Sequence, residues 1–230
     1  MSYQNGPPKI VTDGLVLMLD PIISKSYPGS GNTLYDLSGN QNDAAINGAA
    51  YWSDGKGCFH FDGVDDYINI GTVSTYFPGP TVSAAVDVWI RPNSINERKV
   101  YFGIQSPTDN RLYAGNYDGF WDAGFGSYFW GGGFTGTRAS VSLSWTHLCL
   151  NIASGTAKLY INSTETITKT ADTSVSMTGD FYIGAYFFNG SFGSADTGSS
   201  QITNFKVYNR PLTVQEINQN FNATKYRFRL

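Results

Sequence analysis

The sequence predicts an all-β protein, a two-sheet antiparallel β-sandwich with one short C-terminal helix. Three observations predict it. Apolar residues alternate along many short runs, as at Leu148, Leu150 and Ile152, and Gly, Asn and Asp punctuate the runs. The 26 glycines and the 15% aromatic content favour turns and pleated strands, while only three glutamates occur, at Glu97, Glu165 and Glu216. With 230 residues, 41% hydrophobic and 14% charged, the chain can bury a core, and all-β sandwiches of this length form one unit. A single domain over residues 1–230 is expected, with an N-terminal arm at 1–13 and a C-terminal arm at 222–230.

The elements follow in order. Residues 14–20, GLVLMLD, are a continuous apolar run that stops at Asp20-Pro21, as a buried strand does. The next stretch, PGSGNTLYDLSGNQNDAAING, is dense in turn formers and reads as a structured loop. In FHFDGVDDYINI, Phe59 and Phe61 share one face of a strand and Ile68 and Ile70 share one face of the next. Between them Asp62 can start an Asx turn, Gly63 can take a positive φ, and Asp65 and Asp66 cap the far side. Strands are expected at 81–91, 98–104, 139–152, 156–162, 165–170, 180–187 and 201–208. The runs RLYAGNY and FWDAGFGSYFW are joined by Asp118-Gly119, the signal of a two-residue type I′ hairpin. In PLTVQEINQNF, Thr213 and Glu216 form a capping box ahead of Ile217 and Phe221, the start of the one helix.

Composition excludes several functions. The net charge is −3 and basic residues cluster only in the terminal TKYRFRL, so no phosphate-tracking groove and no nucleic-acid partner are expected. No run of about 18 apolar residues exists, so no membrane span is expected. The N-terminus has neither a basic nor an apolar leader region, so synthesis in a cytoplasm without a signal peptide is expected. Cys58 and Cys149 are accordingly expected to be buried free thiols. His60 and His147 are isolated, without zinc-ligand spacing.

Six motifs in order, GLVLMLD, DLSGNQND, FDGVDDYINI, VSAAVDVWIRP, SWTHLCLNIASGTAKLYINST and ITNFKVYNRPLTVQEI, resemble the concanavalin A-like lectin/glucanase superfamily, nearest its laminin-G-like and pentraxin-like jelly rolls. The resemblance implies two curved antiparallel sheets in which the W-x-H and L-Y-I-N strands are neighbours. It implies no single activity. Retaining glucanases of that superfamily carry two glutamates on one strand, because the mechanism needs carboxyl groups about 5 Å apart. The three glutamates here are scattered, so no catalytic residue and no enzyme activity are expected.

No cofactor is expected, and calcium is the one candidate. Asp20, Asp36, Asp43, Asp62, Asp65 and Asp66 offer hard oxygen donors in loops, yet each also has a turn role and none shows D-x-D-x-D spacing. Thr203-Asn204 stands where many relatives have acidic residues. The expected carbohydrate-binding surface is Asn116, Tyr117, Asp118, Trp121, Tyr128 and Trp130, since aromatic faces stack on sugar C–H groups while Asp and Asn bond hydroxyls. The Gly- and aromatic-rich stretch 186–201 reads as a second recognition loop.

At the C-terminus, Lys225, Arg227 and Arg229 alternate with Tyr226 and Phe228, as in an assembly arm laid against another subunit. Motifs such as DLSGN, FDGVDD and YNRPLT resemble those of bacteriophage chains. The expected function is therefore a non-enzymatic virion structural protein, a capsid decoration or tail-fibre component, made in the host cytoplasm with the virion as its final location. Its expected partners are other virion structural proteins and a second copy of itself, with host-surface glycans as candidate ligands. The alternatives are a soluble carbohydrate-binding lectin and a glycan hydrolase or lyase.

Overall fold

A computed structural model describes residues 9–53, 56–78, 82–95, 99–104, 110–117, 119–127, 134–135, 139–170, 178–185, 187–188, 191–192 and 199–230. In chain order the strands are β1 (Leu15–Leu19), β2 (Thr33–Leu34), β3 (Ala44–Asn47), β4 (Ala50–Trp52), β5 (Cys58–Phe61) and β6 (Tyr67–Thr72). They continue with β7 (Ala84–Pro92), β8 (Lys99–Ile104), β9 (Asn110–Tyr117), β10 (Phe120–Ser127), β11 (Phe134–Thr135) and β12 (Thr146–Ala153). The last are β13 (Thr156–Ile161), β14 (Thr164–Thr170), β15 (Asp180–Ile183), β16 (Phe187–Phe188), β17 (Ser191–Phe192) and β18 (Ser200–Tyr208), followed by the helix α1 (Val214–Thr224).

Two antiparallel sheets make the sandwich. One runs β11-β14-β13-β12-β7-β18-β5-β4, with β1 also paired to β18, and has nine strands. The other has seven, in the order β10-β9-β8-β15-β6-β3-β2. The W-x-H strand β12 does pair with the L-Y-I-N strand β13, with Leu148 opposite Ile161. Inward residues alternate as expected: Val86, Val88 and Ile90 face Phe102, Phe181 and Ile183 across the core. Each such side chain fully removed from water contributes about 1.5–3 kcal/mol.

Several expected elements change length. The loop at 28–48 contains β2 and β3, both paired in the seven-stranded sheet. The strand expected at 180–187 stops at Ile183 because Gly184 has φ +85, and a Cβ there would lie 2.1 Å from the Phe61 ring. Phe59 and Phe61 belong to one sheet, and Ile68 and Ile70 to the other. The acidic turn between them carries the chain across the edge of the sandwich, with both apolar pairs pointing into the same core.

The helix begins as its capping box requires. Glu216 N–H donates to Thr213 Oγ1 at 3.2 Å and Thr213 N–H donates to Glu216 Oε2 at 2.8 Å. Arg210 donates two further bonds to the same carboxylate and, with the cap, holds it at about 2, below the ordinary glutamate value. The helix lies on the outer face of the nine-stranded sheet, where Ile217 packs with Tyr208, Ala85 and Cys149. This is why β7 and β18 are buried on both faces, except at Arg91.

The C-terminal residues, expected as an arm reaching another subunit, pack on their own chain. Thr224 closes the helix, and Lys225–Phe228 form a 3₁₀ turn that folds back on the chain's own sheet. Phe228 stacks on Trp89 with ring centroids 4.0 Å apart, and Arg227 donates to Asp20 at 2.7 Å. The alternation of basic and aromatic residues puts Phe228 inward and Tyr226 outward, because a tight turn at this spacing separates them. Lys225 and Arg227 are half-buried, and Arg229, at φ +61, is exposed.

Candidate functional site

The outer face of the seven-stranded sheet is built from residues that alternate with the core. In β6, Ile68 and Ile70 point inward, so Tyr67 and Asn69 point outward; in β15, Phe181 and Ile183 point inward, so Asp180 and Tyr182 point outward. Backbone register then aligns one row across four junctions: Tyr113 opposite Gly103, Gly103 opposite Tyr182, Tyr182 opposite Asn69, and Asn69 opposite Ala45. Asp180 is oriented by three donors: Asn69 Nδ2 at 3.1 Å, Thr72 Oγ1 at 3.4 Å and Tyr182 Oη at 3.4 Å. The Tyr67 and Tyr182 rings meet edge to face, 5.6 Å apart. Burial and the Asp180 carboxylate push the Tyr182 hydroxyl up to about 12, so it remains a hydrogen-bond donor at any physiological pH. Tyr67, Asn69 and Asp180 are half-buried, which leaves this end of the row open; Tyr113 and Tyr182 are buried.

The expected carbohydrate surface is placed differently. Trp121 is 1% exposed and packs against Tyr101 in the core, and Asn116 is fully buried. Neither can stack on or bond a ligand, because both fall on the inward phase of the β9/β10 pair, directly opposite one another. Tyr117 is half-buried and pairs with Phe120, a residue the sequence reading passed over, which is 37% exposed. Asp118, Tyr128, Trp130 and most of the stretch 186–201 lie outside the described residues. Beside the hairpin, Asp122 is buried and accepts from Lys169 Nζ at 2.6 Å and from the Tyr113 hydroxyl at 3.3 Å.

The acidic turn is the group with the donor chemistry for a hard cation among the described residues. Asp62, Asp65 and Asp66 bring one carboxylate oxygen each within 4.8 Å of the others. Turn bonds already engage two of them: Asp62 Oδ1 accepts from Val64 N–H at 2.7 Å, and Asp66 Oδ2 accepts from Asp62 N–H at 2.9 Å. Gly63, at φ +83, completes the Asx turn. Partial burial and the two neighbouring carboxylates raise the Asp66 carboxyl above its ordinary value. The other candidate calcium ligands are engaged elsewhere. Asp36 accepts from Met18, Ser38 and Asn42 backbone N–H groups, and Asp20 from Asn204 and Arg227. Changing Asp65 and Asp66 together to Asn is expected to cost no more than about 1–2 kcal/mol, the scale of turn and capping bonds. A large melting shift produced by EDTA, and removed by the double change, would make the corner a metal centre instead.

Sequence reasoning missed a buried polar network beneath α1. Asp87 is fully buried and bonded to Lys206 Nζ at 2.6 Å, His147 Nε2 at 3.0 Å and Asn220 Nδ2 at 3.2 Å. Lys206 also donates to Asn204 Oδ1, and Asn220 Oδ1 accepts from Val11 N–H at 2.9 Å. Its signal was the outward phase of three strands: Asp87 between Val86 and Val88, Lys206 between Phe205 and Val207, and His147 ahead of Leu148. Cys149 lies opposite Asp87; burial and that carboxylate push its thiol well up, and Cys149 is a buried thiol outside any disulfide.

Residues 62–218 match a protein family described as the concanavalin A-like lectin/glucanases superfamily. No curated protein matches the sequence. Among solved structures, a Trypanosoma rangeli sialidase bound to the inhibitor DANA is similar with a TM-score of 0.67 at 19% identity, over 92% of this chain and 33% of the sialidase. The binding domain of botulinum neurotoxin DC, solved with rat synaptotagmin II, is similar with a TM-score of 0.68 at 15% identity, over 94% of this chain and 53% of that one. A botulinum neurotoxin type C structure, described by its dependence for cell entry on two ganglioside molecules, gives 0.68 at 16% identity, over 94% of this chain and 52% of that one. The chain thus spans about a third of the sialidase and about half of the toxin chains. The sialidase match overturns the expectation of a non-enzyme: chains with this fold include an enzyme, so scattered glutamates do not decide the class. At these identities the likeness shows the fold, and no activity passes with it.

Proposed function

The chain belongs to the concanavalin A-like lectin/glucanases superfamily, and from that premise we propose that it is a lectin-like glycan-binding protein. Its binding surface is the open end of the outer row on the seven-stranded sheet. One observation carries this reading: Tyr67 and Asn69 stand beside an Asp180 carboxylate that Asn69, Thr72 and Tyr182 hold in place. A tyrosine face accepts the C–H side of a sugar ring, and an oriented carboxylate and amide bond its hydroxyls. The ganglioside dependence described for the toxin chain agrees with a saccharide ligand.

The finer placement is a bacteriophage virion surface, as capsid decoration or in a tail fibre, with other virion proteins and further copies of the chain as neighbours. The motifs DLSGN, FDGVDD and YNRPLT support it. Glycan-array binding followed by titration tests the first part. Tyr67→Ala is expected to weaken the best ligand about tenfold, or about 1.4 kcal/mol, and Asn69→Ala by a factor corresponding to about one hydrogen bond, 0.5–1.5 kcal/mol. Unchanged affinity in both variants would remove the row from binding. Mass spectrometry of purified particles tests the second, and absence of the chain from particles would reject it.

A further inference from the structure

We propose a second site, on the opposite sheet, that binds a carboxylated saccharide between Trp52 and Arg91. It does not rest on the tyrosine row.

Helix α1 and the terminal 3₁₀ turn cover the middle of the nine-stranded sheet's outer face. At the end of that sheet one row has Ala50 opposite His60, His60 opposite Gln201, and Gln201 opposite Arg91; its two ends, Ala50 and Arg91, are exposed, His60 is half-buried and Gln201 is buried. Two inter-strand spacings, about 10 Å, separate the His60 and Arg91 backbones. Trp52, two residues along β4 from Ala50 and opposite Cys58, is 43% exposed and lies flat on the His60 imidazole, with centroids 4.7 Å apart and planes 5° apart. The stack fixes the indole through one of its faces and leaves the other as a rigid apolar platform. A large exposed aromatic held flat at the surface is the geometry on which a sugar ring rests.

The opposite end of the row carries charge. Arg91 is exposed, and its Nε donates to the Leu143 carbonyl at 3.2 Å. That bond orients the guanidinium. Among the described residues its two terminal nitrogens make no hydrogen bond or ion pair. Such a planar fork matches one carboxylate in bidentate fashion. A phosphate dianion would call for a second lysine or arginine, and the row holds neither besides Arg91.

Polar groups lie between platform and fork. Gln201 is 6% exposed, and its Oε1 has no hydrogen-bond partner, a condition rare for a buried amide unless a ligand or solvent donor completes it. Asn93 is held with its Nδ2 3.2 Å from His60 Nε2 and 3.0 Å from Ser199 Oγ. These amides can bond ring hydroxyls, so the row as a whole suits a uronate or similar sugar acid.

The test uses the full chain and a panel of carboxylated oligosaccharides, each paired with its neutral methyl ester, followed by calorimetry and by tryptophan fluorescence. Saturable binding of at least one acid is expected, at least tenfold tighter than its ester, with a change in Trp52 emission. Trp52→Ala should abolish binding, and Arg91→Gln should equalise acid and ester, while neither surface change moves the melting temperature. Tyr67→Ala should leave this binding intact, which separates it from the tyrosine row. Equal affinity for acid and ester, binding that survives Trp52→Ala, or no binding across the panel would overturn the proposal.

Discussion

Lys206→Met is expected to lower the stability of the protein by about 3–5 kcal/mol, the range found when one partner of a buried ion pair is removed. Asp87 and Lys206 are both fully buried, 2.6 Å apart. Burial by itself would raise the Asp87 carboxyl; Lys206 foremost, with His147, holds it well below the ordinary carboxylate range. Without the ammonium, the charge keeps only the neighbours His147 and Asn220. Replacing both partners, Asp87→Leu with Lys206→Met, should restore much of the loss, because two desolvated charges vanish together. The sign of the pH effect follows from the depressed carboxyl. Its contribution is present above the unfolded value of about 3.9 and is lost as pH falls towards the folded value. Urea unfolding at pH 7 and pH 3 should therefore show a larger decline in wild type than in Asp87→Asn, where the depressed Glu216 carboxyl still contributes. A Lys206→Met chain within 1 kcal/mol of wild type at pH 7 would mean that the pair is not holding the outer face together.

Phe228→Ala is expected to cost about 3 kcal/mol or more, as for other buried Phe truncations, although it is the third residue from the end of the sequence. The ring is 6% exposed and sits between Trp89, at 4.0 Å, and Trp145, at 4.9 Å. Tyr226, 71% exposed, is the internal control: Tyr226→Ala should change stability by no more than about 0.5 kcal/mol. Deleting 225–230 should lose the Phe228 packing and the Arg227 bond to Asp20 together, and so destabilise the folded chain. An assembly arm would behave in the opposite way, with both rings needed for association and neither for stability. Denaturant melts of the two point variants and the truncation distinguish the cases; a truncated chain as stable as wild type would return residues 225–230 to the role of an arm.

The sandwich, the order of its main strands, the capping box and the acidic Asx turn were all legible in the amino-acid sequence. Each is local chemistry: a period of two places Ile68 and Ile70 on one face, Thr213 and Glu216 satisfy each other's backbone, and Asp62-Gly63 fits the turn conformation. The same period already set Tyr67 and Asn69 apart from the core, so that half of the candidate site was legible in YINI. The rest depended on which face each strand turns to the other sheet, and on what covers the face that is left. Trp121 reads like a surface aromatic, yet one step of phase puts it in the core. Asp87, Lys206, His147 and Asn220 come from separate strands and a helix, and they meet only because α1 closes over the sheet. Burial and partnership of charges are properties of that closure, and alternation along a strand cannot tell an outward face open to water from one sealed by a distant helix.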